Sequence, residues 1–344
     1  MRHLTKGRFA LALSGLLALL LASVLLGLGV GPSWIPPDRV FAALIGSDVD
    51  GALVDIVLRI RLPRVLLAAL VGASLSTAGV IFQALLRNPL ADPFILGVSG
   101  GAALAGIAML SLGGAIGLGY SAVPPAAFAG CLLTTLLLYL VAGRGSRVSA
   151  TGLLLTGVVF NAFASAAIVF LASLSGLVDG SRIFIWLIGS LSVVRVELAG
   201  WVALFLAVGL TCAIGLSRGL NLMALGDEAA AQLGVAIERD KRILLLATSL
   251  MVGAAVSVSG LVGFVGLIIP HLLRLALGPD HRLLVPAAAI GGAAFLVVCD
   301  TMARTVLGGR ELPVGAITAL VGGPFFLFLL RRSQHRVFAP GAAR

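Results

Sequence analysis

The strongest constraint in this sequence is the recurrence of long apolar runs with almost no charge inside them. A run of about 20 apolar residues is long enough to cross the hydrocarbon core of a bilayer as a helix. Ten such runs are expected, at 9–30, 64–86, 94–112, 122–142, 150–173, 194–216, 242–259, 261–277, 283–303 and 313–330. The third and eighth are short and glycine-rich. A further helix near 179–190, between the fifth and sixth runs, is expected on the outer side. Composition agrees: 60% of the residues are hydrophobic and 11% charged, where soluble domains run near a quarter charged. The bilayer must therefore be the solvent. The 44 glycines suit membrane helices that pack closely, because lipid supplies no hydrophobic drive between them. The fold class is thus an all-α polytopic membrane protein, read as a single transmembrane domain over 1–344.

Arg2, Lys6 and Arg8 precede the first run. A signal peptide would carry a shorter apolar region, about 7–15 residues, and a small-residue cleavage site. The run from Phe9 to about Val30 is read as the first transmembrane helix. Ten spans with the N-terminus inside place the C-terminus inside as well. That arrangement puts sixteen of the 24 Lys and Arg, but only six of the 14 acidic residues, on the inner side. The bias obeys the positive-inside rule. It also accounts for the net charge of +10 without nucleic acid as a partner.

Two halves of the chain echo one another. Gly72-Ala-Ser-Leu-Ser-Thr-Ala-Gly79 resembles Gly253-Ala-Ala-Val-Ser-Val-Ser-Gly260, and Gly100-Gly-Ala-Ala103 resembles Gly291-Gly-Ala-Ala294. The halves run over about 64–173 and 242–330. Five spans separate them, an odd number, so the second copy is inverted, as in many transporters.

The chemical inventory is sparse. No GxxxxGK[ST] phosphate loop occurs, and neither lysine, Lys6 or Lys241, follows a glycine. There is no HExxH, no Gly-x-Ser-x-Gly and no His, Cys and carboxylate cluster with metal-ligand spacing. Cys131, Cys212 and Cys299 lie inside apolar runs without CxxC spacing and read as packing residues. No catalytic residue and no metal site is expected. Ionisable residues near the membrane midplane, common in secondary transporters, are scarce. Asp300 and Arg304, four residues apart near the outer end of span nine, can pair on one helix face. His271 and His281 are placed in an inner loop, and Arg274 is expected to snorkel toward the inner headgroups.

The largest inner loop, about 217–241, contains Gly226-Asp-Glu-Ala-Ala-Ala-Gln-Leu-Gly234. Asp227 and Glu228 suit a helix start, where the macrodipole favours acids. Gly234 can end the helix in a left-handed conformation. A short helix outside the membrane follows, either a solvated connector or a docking element for another subunit.

Taken in order, several segments resemble one family. They are Arg61-Leu-Pro-Arg64, Gln83-Ala-Leu-Leu-Arg-Asn-Pro-Leu-Ala-Asp-Pro93, Leu96-Gly97, Trp186 with Gly189-Ser190, and Gly226-Asp-Glu228. Phe264-Val-Gly-Leu-Ile-Ile-Pro-His271, Asp280-His-Arg282, Asp300 to Arg304, and Glu311-Leu-Pro-Val-Gly315 complete the set. The chain is similar, from about Arg59 to Leu330, to the type II permeases of ATP-binding-cassette importers for ferric siderophores, haem and cobalamin. The resemblance implies ten helices per chain and a homodimer in the inner membrane. It implies two ATPase subunits on the inner face, which hold Mg-ATP while this chain binds no cofactor, and a periplasmic binding protein on the outer face. It assigns ATPase coupling to the loop at about 218–235, with Gly226, Asp227, Glu228, Ala231, Leu233 and Gly234. It assigns binding-protein docking to Arg61, Arg64 and Arg304, for which headgroup or intrachain pairing is the alternative. Arg182, just before Trp186, is a candidate for meeting an anionic chelate or haem propionates in the pathway, or else a surface arginine. The implied activity is import of an iron chelate, with cobalamin also within the family's range and no catalysis by this chain. A secondary transporter without an ATPase is the alternative, and a membrane scaffold or enzyme is a third class.

Overall fold

The computed structural model describes residues 5–46, 50–113, 117–118, 120–144, 147–174, 177–192, 196–308 and 310–337. Arg2 and Arg344, counted above among the inner charges, lie outside them. In chain order the helices are α1 Lys6–Gly29, α2 Pro37–Leu44, α3 Gly51–Val54, α4 Leu62–Leu85, α5 Val98–Leu112, α6 Val123–Ala142, α7 Ala150–Leu174 and α8 Leu177–Ile188. They continue with α9 Val196–Gly215, α10 Ser217–Met223, α11 Asp227–Gln232, α12 Ile237–Ser259, α13 Val265–Leu277, α14 His281–Thr305 and α15 Val314–Val337. Seven are long and apolar enough to cross a membrane, namely α1, α4 with its N-terminal extension, α6, α7, α9, α12 and α14. The apolar helices Val98–Leu112, Val265–Leu277 and Val314–Phe328 are shorter. Together they match the ten expected runs, and α8 matches the helix expected near 179–190. A π-helical segment, Asp55–Arg61, joins α3 to α4 in one continuous rod.

The two short spans have a shared local cause. Each starts on a residue in the left-handed region, Gly97 at φ 81° before α5 and Phe264 at φ 70° before α13. The chain before each, 86–97 and 260–264, is not α-helical. These caps sit on the third and eighth spans and so keep the five-span offset of an inverted repeat.

The core is built on α4, α12 and α14, which are largely buried, whereas α1, α7 and α9 are mostly exposed. Exposed apolar side chains such as Leu21, Val159, Phe163 and Trp201 present the surface a bilayer covers. Small residues let α4 approach its neighbours. A methyl group at Gly72 would overlap the carbonyl of Gly292 in α14, and one at Gly292 would overlap the carbonyl of Gly72. Gly79 meets Gly266 of α13 in the same way. Backbones this close gain dispersion that larger residues would block.

These contacts correct part of the repeat reading. Gly72–Gly79 lies within α4 and Gly253–Gly260 at the end of α12, the second and seventh spans. Gly260 itself is the cap after α12, at φ 67°, while Gly79 is inside its helix. Gly100–Ala103 lies in α5, the third span, but Gly291–Ala294 lies in α14, the ninth. The second match therefore breaks the five-span offset. Glycine and alanine recur wherever helices cross closely, whichever half they belong to.

Two ends of the molecule carry the polar residues. At one, Arg8 of α1 donates through Nη2 to the Leu277 carbonyl of α13 at 2.8 Å. The Arg242 guanidinium of α12 lies over the Tyr139 ring of α6 at 5.8 Å. This end also carries α10 and α11 and is termed the loop end. The other carries Arg61, Arg64 and Arg304 and is termed the arginine end.

Candidate functional site

At the loop end α11 forms where the acidic pair and the flanking glycines place it. Gly226 precedes it at φ 123°, Asp227 and Glu228 occupy its first turn, and Gly234 follows at φ 85°, the left-handed stop expected of it. Ala230 turns inward and is buried, while Glu228, Ala231, Leu233 and Gly234 are exposed. Leu225 and Leu233 stand 68% and 62% exposed. Two such leucines beside a charged turn form an unpartnered apolar edge on an element outside the spans.

The mount of this helix is polar and specific. Lys241 Nζ of α12 donates to Asp227 Oδ2 at 2.6 Å, and the lysine side chain is 7% exposed. Asn221 of α10 reaches α14: its Nδ2 donates to Asp280 Oδ1 at 2.9 Å, and its Oδ1 accepts from the His281 backbone N–H at 2.9 Å. The Arg282 guanidinium beside Asp280 holds that carboxyl below the usual carboxylate range, against the opposing effect of burial. His281 is the first residue of α14 and His271 lies within α13, so neither sits in the inner loop where the sequence reading placed them.

The Arg87–Pro93 loop closes under α11. A Cβ at Gly226 would stand 3.6 Å from Arg87 Nη1, and Arg87 itself is left-handed at φ 50°. Asp92 is buried there, and burial pushes its carboxyl up to about 6. The neighbouring motif also converges. Pro270 cannot donate to the carbonyl four residues back, and Gln83 Nε2 of α4 donates to that Gly266 carbonyl at 3.3 Å. Arg274 Nη2 donates to Gln83 Oε1 at 2.9 Å. Arg274 therefore turns into the protein rather than snorkelling to headgroups, because Gln83 offers an acceptor within reach.

At the arginine end, Arg61, Arg64 and Arg304 are brought together as their motif positions implied, but inside the protein. They are only 4%, 8% and 5% exposed. Arg61 donates to the carbonyls of Leu28, Gly29 and Ser33. Arg64 Nε lies 3.0 Å from Asp300 Oδ1, and its Nη1 lies 2.8 Å from Glu311 Oε2. Arg304 Nε lies 3.1 Å from Asp300 Oδ2, the four-apart pair expected on α14. In this chain alone all three are engaged by intrachain partners. Arg64 and Arg304 share the carboxylates of Asp300 and Glu311, while Arg61 meets only neutral acceptors, so the cluster keeps a net positive charge, and it reaches the surface at the half-exposed Glu311.

Arg182 lines a cavity of about 380 Å³ at the same end, with Trp186, Ser190, Ser257 and Ser259 among its walls. Trp186, Gly189-Ser190 and Gly315, scattered in sequence, meet beside it. Ser190 N donates to the Ser259 carbonyl at 2.8 Å, Leu261 N to that of Trp186 at 3.2 Å and Gly315 N to that of Gly189 at 3.2 Å. This backbone junction ties the ends of α8 and α12 to the start of α15.

Comparison with family models matches residues 19–332 to the FecCD transport family. The chain belongs to that family. FecCD relatives cover nearly all of it. The hemin transport system permease protein HmuU of Yersinia pestis is 42% identical over 310 residues, 86% of this chain and 89% of that protein. The cobalamin import system permease protein BtuC of Halobacterium salinarum is 42% identical over 306 residues, 89% of this chain and 81% of that protein. A solved structure described provisionally as a metal-chelate type ABC transporter, in an inward-facing conformation, superposes with a TM-score of 0.83 at 30% identity. It covers 93% of this chain and 98% of its own. The fold is that of an ABC importer permease, and the converging motifs above are the ones by which the sequence resembled that family.

Sequence reasoning missed Asn221, the Lys241–Asp227 pair and the Gln83–Arg274 link. Two of these carried a signal: Gln83 opens one family motif and Lys241 is one of two lysines in the chain. Asn221 carried none, since an asparagine near a loop reads as a turn residue.

Proposed function

We propose that this FecCD permease is the membrane subunit of an ATP-driven importer that moves an iron chelate, haem or a ferric siderophore, from periplasm to cytoplasm. Two copies form the pathway at their shared axis. Two ATPase subunits dock on the loop end, which faces the cytoplasm together with both termini, and a periplasmic binding protein docks on the arginine end. The observation that carries the reading is α11: a short helix outside the spans, with Leu225 and Leu233 exposed and its base pinned by Lys241. A solvated connector has no use for exposed leucines on a rigid mount. An ATPase surface that receives them does.

ATP binding closes the ATPase pair, displaces α11 and switches the pathway between inward and outward access. The ligand must bind the two states with different affinity for that switch to do work. Gly226, Asp227, Glu228, Ala231, Leu233 and Gly234 form the contact. At the other end Arg64, whose partner Glu311 is half exposed, meets an acidic residue of the binding protein, with Arg61 and Arg304 holding the positive charge behind it. Arg182, in the cavity wall, meets an anionic group of the chelate. The names of the hemin and cobalamin relatives support the substrate range, and Arg182 favours an anionic member of it.

The test is purification of the chain from native membranes in mild detergent, with mass identification of what accompanies it, and growth of the host on haem, siderophore or cobalamin as the sole supply. A stoichiometric ATPase and loss of growth on one compound after deletion support the reading. A chain that purifies alone and whose deletion affects none of the three overturns it.

A further inference from the structure

The polar contacts of α10 give the loop end a defined mechanical partner. Asn221 uses both ends of its amide on the first turn of α14. Its Nδ2 donates to Asp280 Oδ1 at 2.9 Å; its Oδ1 accepts from the His281 backbone N–H at 2.9 Å and lies 2.7 Å from His281 Nδ1. Because Oδ1 can only accept, His281 holds a proton on Nδ1. Asp280 is also the N-cap of α14, accepting from the Arg282 backbone N–H at 3.0 Å. Asn221 therefore grips the cap and the first residue of α14 together. Three residues after it α10 gives way to the turn into α11.

The whole of α14 is a continuous 25-residue helix. Its middle lies on α4 through the reciprocal Gly72–Gly292 contact, and its far part holds Arg64 of α4 through Asp300. From His281 to Asp300 the helix advances roughly 28 Å at about 1.5 Å per residue. One rigid pair of helices, α4 and α14, thus runs from the base of α11 to the arginine end.

We propose that Asn221 is a positioning residue that couples α11 to the α4–α14 pair, so that displacement of α11 by a partner moves this pair as a unit and is felt at the arginine end. Lys241 holds the opposite side of α11 against α12. The loop helix is then mounted between two of the three central helices. The inference rests on the reading of α11 as the ATPase dock.

The experiment uses the full complex with its ATPase and binding protein in proteoliposomes. ATP hydrolysis and uptake of radiolabelled chelate are measured together for wild type, Asn221→Ala and Asn221→Asp. Asn221→Ala is expected to retain ATPase docking and basal hydrolysis within about twofold, and to lose at least tenfold in uptake per ATP. Stimulation of hydrolysis by the binding protein is also expected to disappear. Asn221→Asp keeps the acceptor contacts to His281 but sets a second carboxylate against Asp280, and like charges repel, so a loss at least as large as in Asn221→Ala is expected. If Asn221→Ala assembles poorly, hydrogen exchange in the α14 first turn of Asn221→Asp with and without nucleotide gives the same answer. In wild type nucleotide changes protection there, and in the variant it does not. Unchanged uptake per ATP in Asn221→Ala, or hydrolysis and uptake falling in proportion, overturns the proposal. A wild-type chain that recruits no ATPase fails the underlying reading instead, and the two failures are distinguished by whether the ATPase copurifies.

Discussion

Replacing Asp300 by asparagine should unmask the energetics of the arginine end. Asp300 is fully buried and sits between Arg64, at 3.0 Å, and Arg304, at 3.1 Å. The two arginines do not lose equally. Arg64 keeps Glu311 at 2.8 Å. Arg304 loses its carboxylate and is left with neutral acceptors, the carbonyls of residue 300 and Gly27 and Thr301 Oγ1. Removing one partner of a buried pair costs about 3–5 kcal/mol because a charge is left uncompensated. One arginine of two remains partnered, so the lower end, about 3 kcal/mol, is expected. Glu311→Gln is the control. That side chain is 45% exposed, and screened pairs are worth about 0–1 kcal/mol. Unfolding of the detergent-solubilised protein in rising SDS, followed by circular dichroism, gives both differences. Adding Arg304→Met to Asp300→Asn should recover part of the loss, since the stranded charge is removed. Equal destabilisation by Asp300→Asn and Glu311→Gln, or a double variant worse than the sum of its parts, would refute the reasoning.

Gly72→Val forces branched methyls into the Gly292 carbonyl, and overpacking of this kind costs about 1–3 kcal/mol or more; a thermal midpoint no lower than wild type would show that α4 and α14 can separate freely. Lys241→Met leaves Asp227 only 38% exposed but in reach of water, so stability should change by about 1 kcal/mol or less while uptake per ATP falls in proteoliposomes; intact coupling would free α11 from its proposed mount. Asp280 titrates below the unfolded carboxyl value of about 3.9, so its contribution is complete above that pH and is lost as pH falls through its folded value. The stability difference between wild type and Asp280→Asn should therefore shrink below about pH 4, measured as denaturation midpoints across pH; a difference that widens on acidification would show the sign to be wrong.

The spans were legible because their signal is local and repeated. A run such as 150–173 has one physical reading in a bilayer, and the structure places α7 at Ala150–Leu174. The short helix α11 was legible for the same kind of reason: acids at one end, a glycine stop at the other, and alanines between. The fates of the arginines were not. The resemblance assigned Arg61, Arg64 and Arg304 to binding-protein docking, with headgroup or intrachain pairing as the alternative; beyond the expected Asp300–Arg304 pair, each is turned inward by acceptors far off in sequence, among them Leu28, Asp300 and Gly27. A span-end arginine meets headgroup, partner protein or intrachain acceptor according to what the fold brings near it. The second repeat match failed similarly, while the first keeps the five-span offset. Gly100 and Gly291 share a motif because both helices are closely packed, a demand that several positions in a ten-span bundle impose. Asn221 was invisible because its three contacts all lie about sixty residues away, across the α10–α14 junction.

The central claim is that work enters this permease through α11. Its most direct measurement is accumulation of labelled chelate in sealed proteoliposomes containing the permease, its binding protein and its ATPase, compared between wild type and a variant with Leu225 and Leu233 both changed to serine. Wild type should accumulate chelate only with Mg-ATP, and the variant should lose accumulation together with ATPase binding. Accumulation that proceeds without ATP, driven by an ion gradient and indifferent to those two leucines, would contradict the account.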